Sequence, residues 1–307
     1  KAPLPAMMIT IEKPAGVGKA VASARREGKR VGFVPTMGAL HDGHAALVRM
    51  ARAETDLVVV SIFVNPAQFG PKEDYSRYPR KERDDALLLE RTGCDILFKP
   101  SAAAIYPRPA AVGLTVKGLA DGLCGAFRPG HFDGVCLVVA KLFNIVRPDL
   151  AFFGQKDAQQ AVIIERMTSD LDFPVRIRIG ATVREADGLA MSSRNAYLGE
   201  EERIRAAGLY RGLKSAARAA SDGERSAEAL KKAIRKSMEA SGFEVEYVEA
   251  VDAGTLRPLD TIGGMTLLAA AGRISGTRLI DNIVLRVGPG EAEETLLSFP
   301  EWSGRVE

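Results

Sequence analysis

Short apolar runs alternate with amphipathic stretches along the first 180 residues. The runs are rich in β-branched side chains and cover residues 31–34, 57–64, 95–98, 150–153 and 175–179. Stretches with helical spacing of apolar positions lie between them, at residues 79–92, 132–146 and 158–171. Continuous apolar strands that alternate with helices are typical of a parallel sheet buried on both faces. We therefore predict an α/β fold for this part of the chain.

The pattern changes after about residue 180. Two stretches have the spacing of amphipathic helices, at residues 200–220 and 226–241, and three strand-like runs follow at residues 244–251, 265–271 and 277–287. These elements predict a smaller α+β domain with an antiparallel sheet. We expect the first domain to span residues 1–185 and the second to span residues 186–307.

Composition and charge exclude several classes of protein. The 307 residues are 46% hydrophobic and 26% charged, enough for one large core or two smaller ones. The net charge of +3 is spread without runs of like charge, so we expect no nucleic-acid partner. The chain lacks an apolar stretch of about 20 residues, so we expect no membrane partner. The three cysteines follow no metal or disulfide spacing, which favours a cytoplasmic location.

All three histidines lie in two short motifs that contain glycine. His41 and His44 are three residues apart in the first motif, between an apolar run and a helix-like stretch, and His131 lies in the second. A strand-to-helix turn exposes free backbone N–H groups, which bind phosphate in α/β proteins. An imidazole in such a turn can donate hydrogen bonds to oxygens that gain charge. The alternative is a pair of histidines that only cap the helix; a zinc site is less favoured because H-E-x-x-H is absent.

A third glycine-containing segment is not predicted to bind phosphate. Residues 15–20 read AGVGKA, which approaches a phosphate-binding loop but does not match G-x-x-x-x-G-K-[ST]. No strand of convincing length precedes the segment. We predict a loop that enters a surface helix.

Longer strings around these motifs match one family. They are PTMGALHDGH at 35–44, SIFVNPAQFG at 61–70, YPR at 78–80, RPGHF at 128–132, FFGQKD at 152–157 and READGLAMSSRN at 184–195. In this order and spacing the chain resembles the pantoate–β-alanine ligases of the H-x-G-H nucleotidyltransferase superfamily. The resemblance implies a Rossmann-like parallel sheet with helices on both faces, followed by a smaller C-terminal lid domain.

The resemblance also implies a reaction. Pantoate and β-alanine condense to pantothenate at the expense of ATP, through a pantoyl adenylate, and AMP and pyrophosphate are released. It further implies Mg²⁺ and a homodimer. Two rival functions stay open at this point: a nucleotidyl transferase that keeps the nucleotide in its product, and a catalytically silent module that binds a nucleotide or RNA.

Seventeen residues correspond to the ATP site of the family. They are Met37, Gly38, Ala39, Leu40, His41, Asp42, Gly43, His44, Gly154, Gln155, Lys156, Asp157, Val183, Met191, Ser192, Ser193 and Arg194. Six of them are the implied catalytic residues: His44 as general acid, with His41, Lys156, Ser192, Ser193 and Arg194. Serine hydroxyls and a guanidinium suit phosphate oxygens, and Asp157 is expected at the ribose. A solvated helix start at Lys156 and a plain Ser-Ser-Arg turn are the alternatives.

A second group of residues is implied at pantoate. It comprises Asn65, Gln68, Gln160, Tyr78, Arg128 and His131. Neutral amides can donate to and accept from hydroxyl and carboxylate groups without competing for the cations that ATP needs. The alternatives are surface amides for Gln68 and Gln160, a strand-ending turn at Asn65, and a turn before a helix at residues 128–130.

Asp84 is the position at which the family pattern offers a carboxylate for Mg²⁺. The alternative is a solvated helix face at Asp84 and Asp85. This chain departs from the family nearby, because Cys124 stands where members often have glutamate. A thiol is a poor ligand for Mg²⁺, so Cys124 is left out of the expected metal site.

Overall fold

A six-stranded parallel sheet forms the centre of the first part of the molecule. The structure is a computed structural model, and it describes residues 8–71 and 73–299. Within these residues the strands are β1 (Ile9–Ile11), β2 (Val31–Thr36), β3 (Leu57–Ile62), β4 (Ile96–Phe98), β5 (Leu150–Gly154) and β6 (Arg176–Gly180). Their order is β1-β4-β3-β2-β5-β6, and all neighbours are parallel. The predicted parallel sheet is confirmed.

Helices cover both faces of this sheet, as predicted. They are α1 (Pro14–Arg26), α2 (Asp42–Glu54), α3 (Glu82–Thr92), α4 (Ala102–Ile105), α5 (Leu123–Phe127), α6 (His131–Val146) and α7 (Ala158–Asp170). Successive residues of β2 point to opposite faces. Phe33 packs in the core with α1, α6 and α7, whereas Val34 packs in a separate core with α2 and α3.

A four-stranded antiparallel sheet follows in the C-terminal part. Its strands are β7 (Glu244–Asp252), β8 (Gly264–Ile274), β9 (Thr277–Gly288) and β10 (Glu291–Thr295), in the order β10-β9-β8-β7. The helices here are α8 (Glu200–Ala206), α9 (Gly208–Ser221) and α10 (Ala227–Ala240). Leu268 packs with these helices, whereas Leu267 on the opposite face joins the core of the first part. One face of the C-terminal sheet thus contributes to the core that α1, α6 and α7 form with the parallel sheet.

The predicted domain boundary falls in a short connection. The parallel sheet ends at Gly180 and α8 begins at Glu200, and a β-bridge pairs Arg184 with Ala190 in between. The division at residues 185 and 186 stays a prediction. In the described part of the chain, no helix combines the length and the hydrophobicity that a membrane crossing requires.

Two predicted elements differ from the structure. The helix expected over residues 200–220 is divided into α8 and α9, and α10 approaches closely at the division. A Cβ on Gly208 would lie 1.9 Å from Ser241 Oγ, and Ser237 Oγ donates to the Gly208 carbonyl at 3.0 Å. The segment 15–20 lies inside α1, which begins at Pro14, so the predicted loop there is wrong. Proline suits the first turn of a helix because it needs no N–H partner there.

Candidate active site

The candidate active site lies where the strand order of the parallel sheet reverses. The chain runs from β2 outwards through β3 to β4 on one side, and from β5 to β6 on the other. The carboxyl ends of β2 and β5 therefore leave a crevice, which is where open α/β sheets bind ligands. The first histidine motif follows β2, and Lys156 follows β5. The topology alone brings these two segments together.

His41 and His44 cap the N-terminus of α2 reciprocally. His41 Nδ1 accepts from the Gly43 N–H at 3.2 Å, and His44 Nδ1 accepts from the His41 N–H at 3.3 Å. A backbone N–H only donates, so neither Nδ1 carries a proton. In the neutral rings the proton is therefore on Nε2. Capping and ligand binding, the two alternatives for this pair, are thus compatible, since the cap leaves Nε2–H as a donor.

Both imidazoles are held in the neutral form. Burial lowers the pKa of His41 to about 4, and the charge of Lys156 acts in the same direction. Burial also lowers the pKa of His44 to about 3, with smaller contributions from His41 and Lys156. At neutral pH the turn therefore presents two uncharged N–H donors. Because both rings are neutral, no charged imidazolium is buried in the turn when no anion is bound, and its desolvation penalty is avoided.

A buried carboxylate shapes the turn before these histidines. Asp85 on α3 accepts from the Ala39 N–H at 2.9 Å and from the Leu40 N–H at 2.7 Å. Ala39 has φ of 49°, a left-handed conformation that non-glycine residues adopt at a cost. The two hydrogen bonds hold this conformation. Asp85 was not predicted from the sequence as a site residue, although it lies four residues before the buried Leu89 on the same face of α3.

The Ser192–Arg194 segment reaches the histidine turn. Ser193 Oγ donates to the Ala39 carbonyl at 3.0 Å. Arg194 forms two hydrogen bonds with Asp74, from Nε at 3.1 Å and from Nη2 at 3.0 Å. The two motifs, distant in the sequence, are therefore neighbours in the fold.

Lys156 is the cation at the site with the weakest carboxylate contact. Its Nζ lies 3.9 Å from Asp157 Oδ1, and one fifth of its side chain is exposed. The C-terminal sheet fixes the surrounding turn, because Asn282 Nδ2 of β9 donates to the carbonyls of Gln155 and Lys156, both at 2.9 Å. The Lys156 ammonium is therefore well placed to meet a phosphate group.

Two adjoining cavities occupy the crevice. We call the one of about 230 Å³ that contains His41, His44 and Gln68 the smaller cavity. The larger cavity, of about 510 Å³, lies between the parallel sheet and the β8–β9 hairpin. The residues that line both are Arg128, His131, Lys156, Asp157, Gln160, Ser192 and Arg194. These residues form a junction at which two ligands can meet.

Asn65 and Gln68 form a linked pair in the smaller cavity. Asn65 is buried and fully bonded: its Oδ1 accepts from Tyr106 Oη at 2.8 Å, and its Nδ2 donates to Gln68 Oε1 at 3.0 Å and to the Gly134 carbonyl at 3.1 Å. Among the described residues, Gln68 Nε2 contacts only the weakly accepting Met37 Sδ. Asn65 thus stabilises the turn after β3, the alternative given above, while Gln68 keeps an N–H group for a ligand.

Arg128 and His131 are joined in one network. Arg128 forms two hydrogen bonds of 2.6 Å with Glu73, and its Nη1 lies 2.9 Å from His131 Nε2. His131 Nδ1 lies 2.8 Å from the Gln68 carbonyl, which only accepts, so this ring carries its proton on Nδ1. Burial lowers the pKa of His131 to about 4, and Arg128 contributes. His131 therefore positions Gln68 and Arg128 rather than presenting a free donor.

The remaining expected residues divide into two groups. The smaller cavity is also lined by Met37, Gly43, Tyr78, Gly154, Val183 and Met191. Those outside both cavity linings are Gly38, Ala39, Leu40, Asp42 and Gln155. Gln155 instead holds the C-terminal segment, because its Oε1 accepts from the Leu297 N–H at 2.7 Å.

The structure does not bring Asp84 to the crevice. Asp84 is exposed on the first turn of α3 and lines neither cavity, whereas its neighbour Asp85 points inward. The expectation that Asp84 holds Mg²⁺ therefore stays a prediction. Within the described residues, no group of three or more His, Cys, Asp or Glu side chains is arranged to hold a metal ion.

Comparisons with known sequences identify one family. The family model of pantoate-beta-alanine ligase matches residues 9–284. The chain is 49% identical to the pantothenate synthetase of Geobacillus kaustophilus (strain HTA426), over 94% of this chain and 98% of that protein. It is 50% identical to that of Moorella thermoacetica, over 91% and 99%.

Solved structures lead to the same family. A pantothenate synthetase from Thermus thermophilus superposes with a TM-score of 0.85 at 45% identity, over 90% of this chain and 98% of that one. A pantoate-beta-alanine ligase from Francisella tularensis, complexed with beta-gamma ATP and beta-alanine, has a TM-score of 0.75 at 33% identity, over 90% and 97%. On this evidence the chain belongs to the pantoate–β-alanine ligase family.

Proposed function

We propose that this chain condenses pantoate with β-alanine at the expense of ATP. In the first step a carboxylate oxygen of pantoate attacks the α-phosphorus of ATP, and pyrophosphate leaves. In the second step the amine of β-alanine attacks the acyl carbon of the pantoyl adenylate. The new C–N bond forms as the C–O bond to AMP breaks, and the amine loses a proton.

One observation carries the proposal. Ser193 on the downstream loop is hydrogen-bonded to Ala39 in the histidine turn, so both phosphate-binding motifs face one crevice. Gln68 lies in the same cavity as His41 and His44. A nucleotide site and a site for a small hydroxy acid are thus adjacent, as adenylate formation requires.

The residues act in the first step through alignment and charge. Lys156 meets the phosphates as a point charge, and the Nε2–H groups of His41 and His44 donate to oxygens that gain charge as the α-phosphorus is attacked. The triphosphate is itself an anion, and its approach raises the pKa of both imidazoles. His44 can thus become the general acid that the family pattern implies only after ATP is bound.

Gln68 contributes to the recognition of pantoate. Its Oε1 is held by Asn65, so the amide presents Nε2–H to the carboxylate or a hydroxyl of pantoate. Gln160 lines both cavities and is suited to the same ligand at the junction. These neutral groups orient the carboxylate without reducing its nucleophilicity as a cation would.

The C-terminal sheet protects the intermediate. Asn282 of β9 is bonded to the turn that carries Lys156, so this sheet forms a wall of the crevice. An acyl adenylate is hydrolysed readily when water reaches it, and such a wall excludes water. This agrees with a division into a substrate-binding domain of residues 1–185 and a lid of residues 186–307.

Three further parts of the proposal rest on the resemblance and the composition. Mg²⁺ enters with the nucleotide as MgATP, where it offsets phosphate charge. The active species is a homodimer. The enzyme acts in the cytoplasm.

The test is exchange of pyrophosphate into ATP with pantoate present and β-alanine absent. Pantoate-dependent exchange is expected, because the first step is reversible. Formation of AMP and pantothenate after β-alanine is added completes the reaction. A nucleotidyl transferase of another specificity would give no pantoate dependence, and a silent binding module would give neither exchange nor AMP.

A further inference from the structure

Two adjacent residues of β9, Asp281 and Asn282, hold different segments of the crevice. Asn282 is bonded to the turn that carries Lys156, as described above. Asp281 accepts two hydrogen bonds from Arg184, from Nη1 at 2.6 Å and from Nη2 at 3.1 Å. Both β9 residues line the larger cavity, and only 3% of each is exposed. A single peptide unit of β9 thus joins two separate parts of the site.

Arg184 lies at the base of the segment that carries the Ser192–Arg194 loop. A β-bridge pairs Arg184 with Ala190, so residues 184–190 form a tight turn. Arg184 Nη1 also donates to the Gly188 carbonyl at 3.1 Å, inside this turn. The phosphate-binding loop follows the turn almost at once in the chain. A displacement of Arg184 would therefore be transmitted to the loop.

The guanidinium of Arg184 is enclosed as well as paired. Its Cζ atom lies 3.7 Å from the centre of the Tyr210 ring on α9, a cation–π contact. Gly188 packs on the same ring, since a Cβ at this position would lie 2.4 Å from Tyr210 Cδ1. The Arg184 side chain is 18% exposed and that of Asp281 is 2% exposed. Bidentate pairing of arginine with a carboxylate has a defined geometry, so the pair fixes orientation as well as distance.

Stability alone does not account for an ion pair at this place. The desolvation of two buried charges offsets most of their attraction, so such a pair contributes little net free energy of folding. The geometry that it imposes matters more, because the Ser192–Arg194 loop and Lys156 must meet the same triphosphate. A displacement of about 1 Å in a group that aligns reactants can reduce a rate by about 10²-fold.

We propose that Asp281 is a positioning residue for adenylate formation, which holds the Ser192–Arg194 loop, through Arg184, in a fixed place relative to Lys156. This inference rests on the proposed function and adds a group that acts on the substrates through other residues. Gln68, at the pantoate site, is held by Asn65 and not by β9. The affinity for pantoate should therefore not depend on Asp281.

The experiment compares Asp281→Asn with a matched variant, Asp95→Asn. Asp281 accepts from an arginine and from a backbone N–H, that of Asn282 at 2.8 Å. Asp95 likewise accepts from Arg52 at 2.6 Å and from the Val58 N–H at 2.7 Å. It lies at the amino ends of β3 and β4, opposite the crevice, and lines neither cavity. Pantoate-dependent pyrophosphate exchange gives kcat and the KM for pantoate, and urea titrations report the fold.

Two further variants separate positioning from a general loss of structure. Arg184→Lys keeps the charge beside Asp281 but lacks the planar fork, so it tests the geometry without leaving a buried charge unpaired. Combining Asp281→Asn with Ser193→Ala gives a double-mutant cycle. Ser193 anchors the same loop at the histidine turn, so the second substitution should cost less once the first has released the loop.

We expect kcat for exchange to fall by about tenfold to hundredfold in Asp281→Asn and by about tenfold in Arg184→Lys. The KM for pantoate should stay within about twofold of the wild type in both, and Asp95→Asn should exchange as the wild type does. The loss in Asp281→Asn with Ser193→Ala should be clearly smaller than the product of the single losses. Asp95→Asn with Ser193→Ala should show only the loss of Ser193→Ala.

Three results would overturn the positioning role. They are equal values of kcat in Asp281→Asn and Asp95→Asn, a rise in the KM for pantoate as large as the fall in kcat, and independent effects of Asp281→Asn and Ser193→Ala. If Asp281→Asn does not fold, Arg184→Lys decides by the same three criteria. Absence of pantoate-dependent exchange in the wild type is a different outcome, and it would overturn the proposed function itself.

Discussion

The Ser193 hydroxyl donates a hydrogen bond to the Ala39 carbonyl at 3.0 Å, across 154 residues of sequence. This contact joins the loop after β6 to the turn after β2. It keeps the phosphate-binding groups of both segments on one side of the crevice. Removing this contact therefore tests directly whether the two segments must be held together.

Replacing Ser193 by Ala should reduce pantoate-dependent exchange by about tenfold or more, because the loop loses its link to the turn and a hydroxyl donor is removed. Ser221→Ala is the control: Ser221 Oγ donates to the Ala292 carbonyl at 2.6 Å, away from both cavities. Both variants should lose about 1 kcal/mol of unfolding free energy in urea titrations. Equal exchange rates in the two variants would contradict the assigned role of Ser193.

The tautomer of His44 gives a second prediction. The proton is placed on Nε2, and the amide nitrogen of glutamine reaches about that position, whereas that of asparagine is nearer to Nδ1. His44→Gln should therefore keep more exchange activity than His44→Asn, and His44→Ala should lose about 10²-fold or more. Rates of exchange at saturating ATP and pantoate decide this order. A more active asparagine variant would mean that Nδ1 is the working atom.

The histidines also predict how stability depends on pH. The pKa values of His41, His44 and His131 are lowered from 6.5 to about 4, 3 and 4. As the pH falls below 6.5 the unfolded chain binds protons at these histidines that the folded chain does not, so we expect the unfolding free energy to decrease between pH 7 and about pH 4.5.

Urea midpoints at pH 7 and pH 5 measure this change. At pH 5 all three rings are still neutral in the folded protein, so each contributes about equally. His44→Gln should therefore reduce the histidine part of the pH dependence by about one third. A wild-type stability that stays constant or rises from pH 7 to pH 5 would show that the rings are protonated in the folded state.

Adjacent carboxylates on α3 offer a matched pair of variants. Asp85→Asn removes one of the two acceptors for the Ala39 and Leu40 N–H groups, and should lower the unfolding free energy by about 1–2 kcal/mol and slow exchange. Asp84→Asn should change neither quantity, because Asp84 is exposed. The exchange rate of each variant is measured over the same range of Mg²⁺ concentrations. A selective rise in the Mg²⁺ requirement of Asp84→Asn would show that Asp84 holds the metal.

Local patterns were sufficient to predict much of the molecule. The parallel sheet follows from continuous apolar runs such as residues 57–64, although β3 ends earlier, at Ile62. The edge strand β1 was missed because it is only three residues long, and the edge strand β10 because its residues are mostly polar. The division between α8 and α9 depends on the approach of α10 to Gly208, which local periodicity does not contain.

The residues of the candidate site likewise include some that local sequence predicts and others that it does not. His41 and His44 were located because their neighbours in sequence form the turn, and Ser193 because its motif is specific. Asp85 and the partners of Arg128 and Arg194 were missed, since these contacts join distant segments. Asn65 was expected at the ligand, but its amide is used by Tyr106 and Gly134, which only the folded structure brings near.

In the proposed first step a carboxylate oxygen of pantoate attacks the α-phosphorus of ATP in this crevice. The most direct measurement is the fate of ¹⁸O placed in the pantoate carboxylate, followed by mass spectrometry of the products. We expect one ¹⁸O atom in AMP for each pantothenate formed, and none in pyrophosphate. Label in inorganic phosphate with ADP as the nucleotide product, or unlabelled AMP, would contradict it.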